Sequence, residues 1–293
     1  MKRKDSPRRS VLYVPASNAK AMGKIASLSC DAVILDLEDA VGPEEKAGAR
    51  DNLRAFFSAP PTFAGELVIR INAPSGEWGK DDLDLAAALA PDAVLLPKVD
   101  TPRDVLEVGD LLDEHGGAET ALWAMVETPK AILNIGAIAE LGRDPASRLS
   151  CLVAGTNDLV KETGVLATPD RRYLQAWLMQ IVLAARAGGL DALDGVSNDF
   201  RDLEAFAREC AEGAAMGFDG KTLIHPAQIG PAEAAFSPSP EALAAARAVV
   251  AAFSLPQNRG KGVLSIDGRM VERLHLSQAE RLISRTGDRE TAT

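Results

Sequence analysis

Apolar runs along this chain repeatedly end on residues that carry charge or bind metals. The run 32–37 contains Asp36 and leads into Glu38 and Asp39. The run 67–71 contains Arg70 and leads into Asn72. Lys98 follows 93–97, Glu127 and Thr128 follow 121–126, and 149–154 leads through Gly155 to Asp158. Farther on, 192–196 contains Asp194, and His225 follows 218–224. Buried charge is costly unless it is paired or bound to metal. Carboxylates with interspersed cations at so many run ends therefore demand ion pairing, a metal, or both. Carboxylate oxygens with no Cys or His cluster suit a hard cation, Mg²⁺ first. Mg²⁺ takes one or two protein carboxylates and leaves its other positions to water and substrate. A chelating hydroxy- or keto-acid would fit there.

The elements that must position these residues are legible in the same runs. Beginning with 10–15, about eight continuous apolar stretches occur, each followed by a helical pattern. Continuous rather than alternating apolar strands are buried on both faces, as in a parallel sheet covered by helices. Eight such βα units favour a closed (β/α)₈ TIM barrel, whose active site lies at the C-terminal strand ends. A doubly wound sheet is the alternative, but the segment after the first run lacks its Gly-rich fingerprint. The expected division is a barrel over 1–255 and a C-terminal lid segment over 256–293. That tail opens with a polar, Gly-containing linker over 256–262, followed by a short strand or turn and a helix near 277–284.

Composition narrows the partners. A net charge of −10 argues against nucleic acid, and 4 % aromatic content is thin for base stacking. No run approaches the roughly 20 apolar residues of a membrane span. Cys30, Cys151 and Cys210 are scattered, which fits reduced thiols in a cytoplasmic protein. The basic start of the chain reads as a solvated tail, with organelle targeting as the lesser reading.

The ordered motifs RSVLYVP (9–15), VILDLEDAV (33–41), VIRIN (68–72), LLPK (95–98), VET (126–128), GTNDL (155–159) and GFDGKTLIHPAQ (217–228) resemble the citrate lyase β-subunit-like branch of the HpcH/HpaI aldolase family. That branch includes malyl-CoA and citramalyl-CoA lyases. The resemblance implies a TIM barrel with Mg²⁺ held by Glu127 and Asp158, and Arg70 as a substrate-binding arginine. It also implies a C-terminal lid whose Asp-Gly pair, here Asp267 and Gly268, delivers a catalytic Asp, and a homotrimer in which the lid is shared. Arg9, within the family motif, and Lys20 are candidates for the coenzyme A phosphates.

The implied reaction is metal-dependent carbon–carbon cleavage, or condensation, of a 3-hydroxy-carboxyacyl-CoA. Citryl-CoA, malyl-CoA or citramalyl-CoA would give acetyl-CoA and an α-keto acid. Arg70 is a fixed, always protonated fork for a carboxylate or enolate oxygen. Asp267 is the candidate acid/base at the acetyl carbon. Asp36, Glu38, Asp39 and Lys98 are read as groups that orient the site around the ligands. Three other functions stay open: a thioesterase of the same fold, a subunit active only within a lyase complex, and an aldolase on free hydroxy-keto acids. Plainer roles stand beside these: ion pairing for Glu127, Asp158, Arg70 and Lys98, a turn for Asp267, and a structural His225.

Overall fold

The computed structural model describes residues 7–59, 62–117, 119–266 and 268–284. Eight parallel strands close a barrel in sequence order: β1 (Ser10–Pro15), β2 (Ala32–Asp36), β3 (Glu66–Arg70), β4 (Ala93–Leu96), β5 (Ala121–Val126), β6 (Leu149–Ala154), β7 (Asp191–Asp194) and β8 (Gly220–Leu223). β1 pairs with both β2 and β8, which shuts the ring. The intervening helices are α1 (Ala19–Met22), α2 (Lys46–Ser58), α3 (Gly79–Leu89), α4 (Pro102–Glu114), α5 (Pro129–Glu140), α6 (Thr156–Thr163), α7 (Gln175–Gly188) and α8 (Leu203–Met216), and α9 (Ile229–Phe236) follows β8. The (β/α)₈ expectation is met, with α6 and α9 as short helices that the apolar pattern had not marked.

Two separate apolar clusters explain why the strands read as continuous runs. Val11, Ile34, Val68, Leu95, Trp123 and Val153 belong to a small cluster inside the barrel. Their neighbours one position along, such as Leu12, Val33, Ile69, Val94 and Leu152, join the larger cluster between strands and helices. Side chains alternate across a strand, and here both faces are dry.

Arg8–Phe236 forms one compact unit, and the segment from Ser237 onward belongs to a second. The first unit thus ends at Phe236. Helix α10 (Pro240–Ser254) packs against helix α11 (Arg273–Ser284) and against the hairpin of β9 (Val263–Ile266) and β10 (Arg269–Glu272). Its buried Ala246 and Phe253 face that small core, and Arg273 lies 6.0 Å from the Phe253 ring centroid. Proximity in sequence to the barrel had masked where α10 buries its apolar face. No helix among the described residues is long and apolar enough to cross a membrane.

Candidate active site

The strand alternation that fills the barrel interior also aims the site. Arg70 lies two residues beyond Val68, Asp36 two beyond Ile34, and Glu127 two beyond Met125. Each therefore faces the lumen at its C-terminal end. All three are buried.

Arg70 is the hub. Its Nε and Nη2 donate to the two oxygens of Asp36 at 2.7 and 2.6 Å. Asp36 also accepts the N–H groups of Glu38 and Ala40 at 2.9 and 3.2 Å. Asp36 is thereby saturated, so it anchors the arginine and has little left for a metal. The Tyr13 ring lies under the guanidinium, with Cζ 4.9 Å from the ring centroid. Nη1 sits 2.8 Å from Glu38 Oε2 and 3.5 Å from Asp39. The Nη1–Oε2 contact is an ion pair without hydrogen-bond alignment, which leaves that buried oxygen with no hydrogen-bond donor. Lys98 Nζ approaches the other oxygen of Glu38 at 3.3 Å.

Glu127 is held differently. Its Oε1 accepts the Lys98 N–H at 2.7 Å, and Lys98 carries a left-handed φ of +50°. Its Oε2 takes no hydrogen bond from a described residue. That oxygen lies beside Gly155, where an added Cβ would stand 2.7 Å from Oε2 and collide with Glu127 Cβ. Burial, then the like charge of Glu38, push the Glu127 carboxyl up to about 7 against the opposing Lys98 N–H, and Asp158 adds to the rise. Asp158 sits half-buried in the first turn of α6, just past Gly155. Thr128 caps α5 by accepting the Ala131 N–H and donates its hydroxyl to Asp100, which fixes the chain as it leaves Glu127.

The rim thus holds more carboxylate than cation. Among the described residues, no three His, Cys, Asp or Glu side chains converge into a metal cage. A pair of carboxylates with an unbonded oxygen is still the donor set a mostly hydrated Mg²⁺ uses.

Residues 9–226 match the HpcH/HpaI aldolase/citrate lyase family. The chain belongs to that family. It is 44 % identical over 279 residues to a (3S)-malyl-CoA thioesterase of Cereibacter sphaeroides, covering 95 % of this chain and 94 % of the relative. It is 34 % identical over 289 residues to the mitochondrial citramalyl-CoA lyase of Rattus norvegicus, covering 95 % and 86 %. Among solved structures, CitE from Mycobacterium tuberculosis in complex with magnesium, acetoacetate and coenzyme A superposes with a TM-score of 0.76 at 32 % identity, covering 97 % and 99 %.

The family member at hand does not bring every expected residue to this rim. Arg9 sits at the N-terminal end of β1, where Nε and Nη2 bond the carboxylate of Asp31 at 2.8 and 2.9 Å. That is the opposite end of the barrel from Glu127, so its assignment to coenzyme A is withdrawn. Lys20 does lie on the C-terminal side. It lines a cleft of ≈ 540 Å³ with Asn18, Lys24, Ser27 and Pro226. Asp194 points out of the lumen into the helix layer, bonded by Arg171 and Lys221 at 2.8 Å. His225 accepts the Ala227 N–H through Nδ1 and stacks on Phe200 at 4.7 Å, a structural role. Asp267 lies outside the described residues.

Three contributors escaped the sequence reading. Tyr13 was legible in principle, two residues beyond Val11 on the lumen face. Lys46 of α2 is buried and donates to Leu37 O, Glu38 O and Asn72 Oδ1 at 2.7–2.8 Å, pinning the turn that carries Glu38. Gly155 is the third: its missing side chain leaves room for Glu127.

Proposed function

We propose that this protein is a Mg²⁺-dependent enzyme acting on a short 3-hydroxy-carboxyacyl-CoA, and that it cleaves or forms the carbon–carbon bond between an acetyl-CoA unit and an α-keto acid. The observation that carries this reading is Glu127: a buried carboxylate with one oxygen bonded by Lys98 N–H, the other unbonded, and like charge around it. Glu127 and Asp158 would hold the metal. When bound, Mg²⁺ supplies Lewis-acid polarisation of chelating hydroxyl and carboxylate oxygens.

The remaining work falls to the protein's own groups. Asp36 and Tyr13 fix Arg70 from two sides, so its fork meets a thioester or carboxylate oxygen without reorganisation. Asp267 is assigned the proton exchange at the acetyl carbon, and a trimer is the proposed assembly in which a neighbour's tail could supply it. Lys20 and Lys24 give the cleft beside β1 the charge to hold coenzyme A phosphates. Citryl-CoA, malyl-CoA and citramalyl-CoA are the candidate substrates, and a cytoplasmic setting goes with them.

Hydrolysis of the thioester is the second reading, favoured by the 44 % identity to a malyl-CoA thioesterase. Both readings need the same metal and arginine, and they differ in products. The test incubates the purified protein with each of the three thioesters, with and without Mg²⁺, and identifies products by mass. Acetyl-CoA plus a keto acid establishes the lyase. Free CoA with an intact hydroxy-acid establishes the thioesterase. No turnover of any of the three sinks both.

A further inference from the structure

The motif over 217–228 closes the barrel at β8, yet the proposed chemistry uses none of its polar side chains. Two of them converge instead on the loop after β7. Lys221 is fully buried. Its Nζ donates to Asp194 Oδ2 at 2.8 Å and to Gly195 O, and lies 2.7 Å from Glu209 Oε1. Asp194 Oδ1 in turn accepts the Gly195 N–H at 2.8 Å. Buried charge thus clamps the chain on both sides of Gly195. Gln228, also fully buried, accepts the Ile224 and His225 N–H groups through Oε1 and donates Nε2 to Ser197 O at 3.2 Å. Farther along the loop, Phe200 stacks on His225.

The other side of this loop meets the start of α6. An added Cβ at Gly195 would stand 2.6 Å from Thr156 Oγ1 and 2.8 Å from Ala154 O, so the two segments touch there with no side chain between them. Three residues on, Asn198 Nδ2 donates to Asn157 Oδ1 at 2.9 Å, and Asn157 Nδ2 donates back to Asn198 Oδ1 at 3.2 Å. Thr156 and Asn157 immediately precede Asp158. The Asp158 carboxylate accepts no hydrogen bond from a described residue, so its place follows from the backbone beneath it.

We infer that the β7–α8 loop is a platform that sets Asp158 against Glu127, with the Asn157–Asn198 amide pair as its adjustable contact. Asn157, Asn198 and Gln228 are positioning residues, which act through Asp158. The inference rests on the assignment of Asp158 to the metal. Disturbing the groups that orient a metal ligand weakens the metal about 10–100-fold. Both asparagines are exposed, so their loss takes little from the fold while it frees the turn that carries the carboxylate. Metal affinity and stability therefore separate.

Calorimetric titration of the full-length protein with Mg²⁺ alone, beside urea unfolding, tests this. Asn198→Ala and Asn157→Ala should each weaken Mg²⁺ about tenfold. The double variant should lose no more than the weaker single one, because the two amides act as one pair. Urea midpoints should stay near that of the parent, and saturating Mg²⁺ should recover kcat. Asp158→Asn is the reference and should lose Mg²⁺ binding outright. Parent affinity in Asn198→Ala overturns the platform while leaving Asp158 as a ligand, and so do losses that multiply in the double variant. Parent affinity in Asp158→Asn overturns the metal assignment itself, and the platform with it.

Discussion

The two ends of one barrel lumen hold buried arginines in contrasting company. At the N-terminal end, Arg8 donates Nε and Nη2 to the two oxygens of Glu66 at 2.9 and 3.2 Å, and Nη1 to Asp191 at 2.8 Å. Its guanidinium lies 4.7 Å from the Trp123 ring centroid, and a Cβ at Gly220 would collide with the Arg8 carbonyl. At the C-terminal end, Arg70 is held by Asp36 in the same bidentate way, through Nε and Nη2. There, however, Glu38 keeps an oxygen without a donor and Glu127 has a single N–H. The lower end is a plug with its acids bonded by guanidinium. The upper end carries surplus negative charge with open oxygens, which is costly unless a cation arrives. Position alone does not make a charged cluster an active site; an unmet demand for positive charge does.

The largest expected separation between the two ends comes from Glu127→Gln and Glu66→Gln. Glu127→Gln should lower kcat/KM by about 10³, since a metal ligand and its charge are lost. Its Mg²⁺ binding, measured by calorimetry, should disappear, while its folding midpoint should hold or rise as like charge is removed. Glu66→Gln should do the reverse, with a lower midpoint and an unchanged kcat. Equal activity losses from both would erase the contrast. The arginines sharpen it. Arg8→Met leaves Glu66 buried without its partner and should cost roughly 3–5 kcal/mol in urea unfolding. Arg70→Lys keeps a charge but loses the fork, so activity should fall about 10²-fold with a smaller stability loss.

The upper end should also be visible in pH. The Glu127 carboxyl sits at about 7 in the folded, metal-free protein and at 4.5 when unperturbed. Between these values the unfolded chain has released this proton and the folded protein still holds it. The unfolded state therefore binds fewer protons, and stability falls as pH rises from 4.5 to 7. The span corresponds to at most about 3 kcal/mol. In EDTA, urea midpoints should show this decline, and Glu127→Gln should flatten it. Added Mg²⁺ should restore stability at the upper end of the window, because it binds the ionised form. A midpoint that rises through the window in both proteins would remove the surplus-charge account.

How much of this was legible beforehand follows from which physical rule fixed each residue. The barrel was legible because runs buried on both faces repeat with helices between them. Asp36, Arg70 and Glu127 were legible because strand alternation carries them into the lumen with Ile34, Val68 and Met125. Arg9 and Lys20 flank the same strand, yet only the strand's direction decides which end each one occupies. Their basic character gave no hint of that. Lys46 was illegible because its partners are backbone carbonyls of the β2–α2 turn and the side chain of Asn72 just past β3, groups without any sequence signature. Asp194 looked like a rim carboxylate, but the alternation sends it outward to Arg171 and Lys221. Helix α10 reads the same whether it packs on the barrel or on α11, so its partner had no sequence signature.

Gly155 is the subtlest member of the upper end, and it offers the finest test. Its role is an absence, which a sequence shows only as a glycine. The residue carries φ −97°, an ordinary value for any L-amino acid, so backbone strain does not explain it. Crowding does: a methyl there meets Glu127 Cβ and stands 2.7 Å from Oε2. Rotating the carboxylate can move Oε2 but not Cβ, so the backbone at Gly155 or Glu127 must shift as well, which pulls Glu127 Oε1 from its place on Lys98 N–H. Gly155→Ala should therefore lower folding stability by about 1–3 kcal/mol, as overpacking does, and weaken Mg²⁺ about 10–100-fold, the usual effect of disturbing a group that orients a metal ligand. Saturating Mg²⁺ should recover most of the lost kcat, which it cannot do for Glu127→Gln. If Gly155→Ala binds Mg²⁺ as the parent does, the unbonded oxygen of Glu127 is not the one that meets the metal.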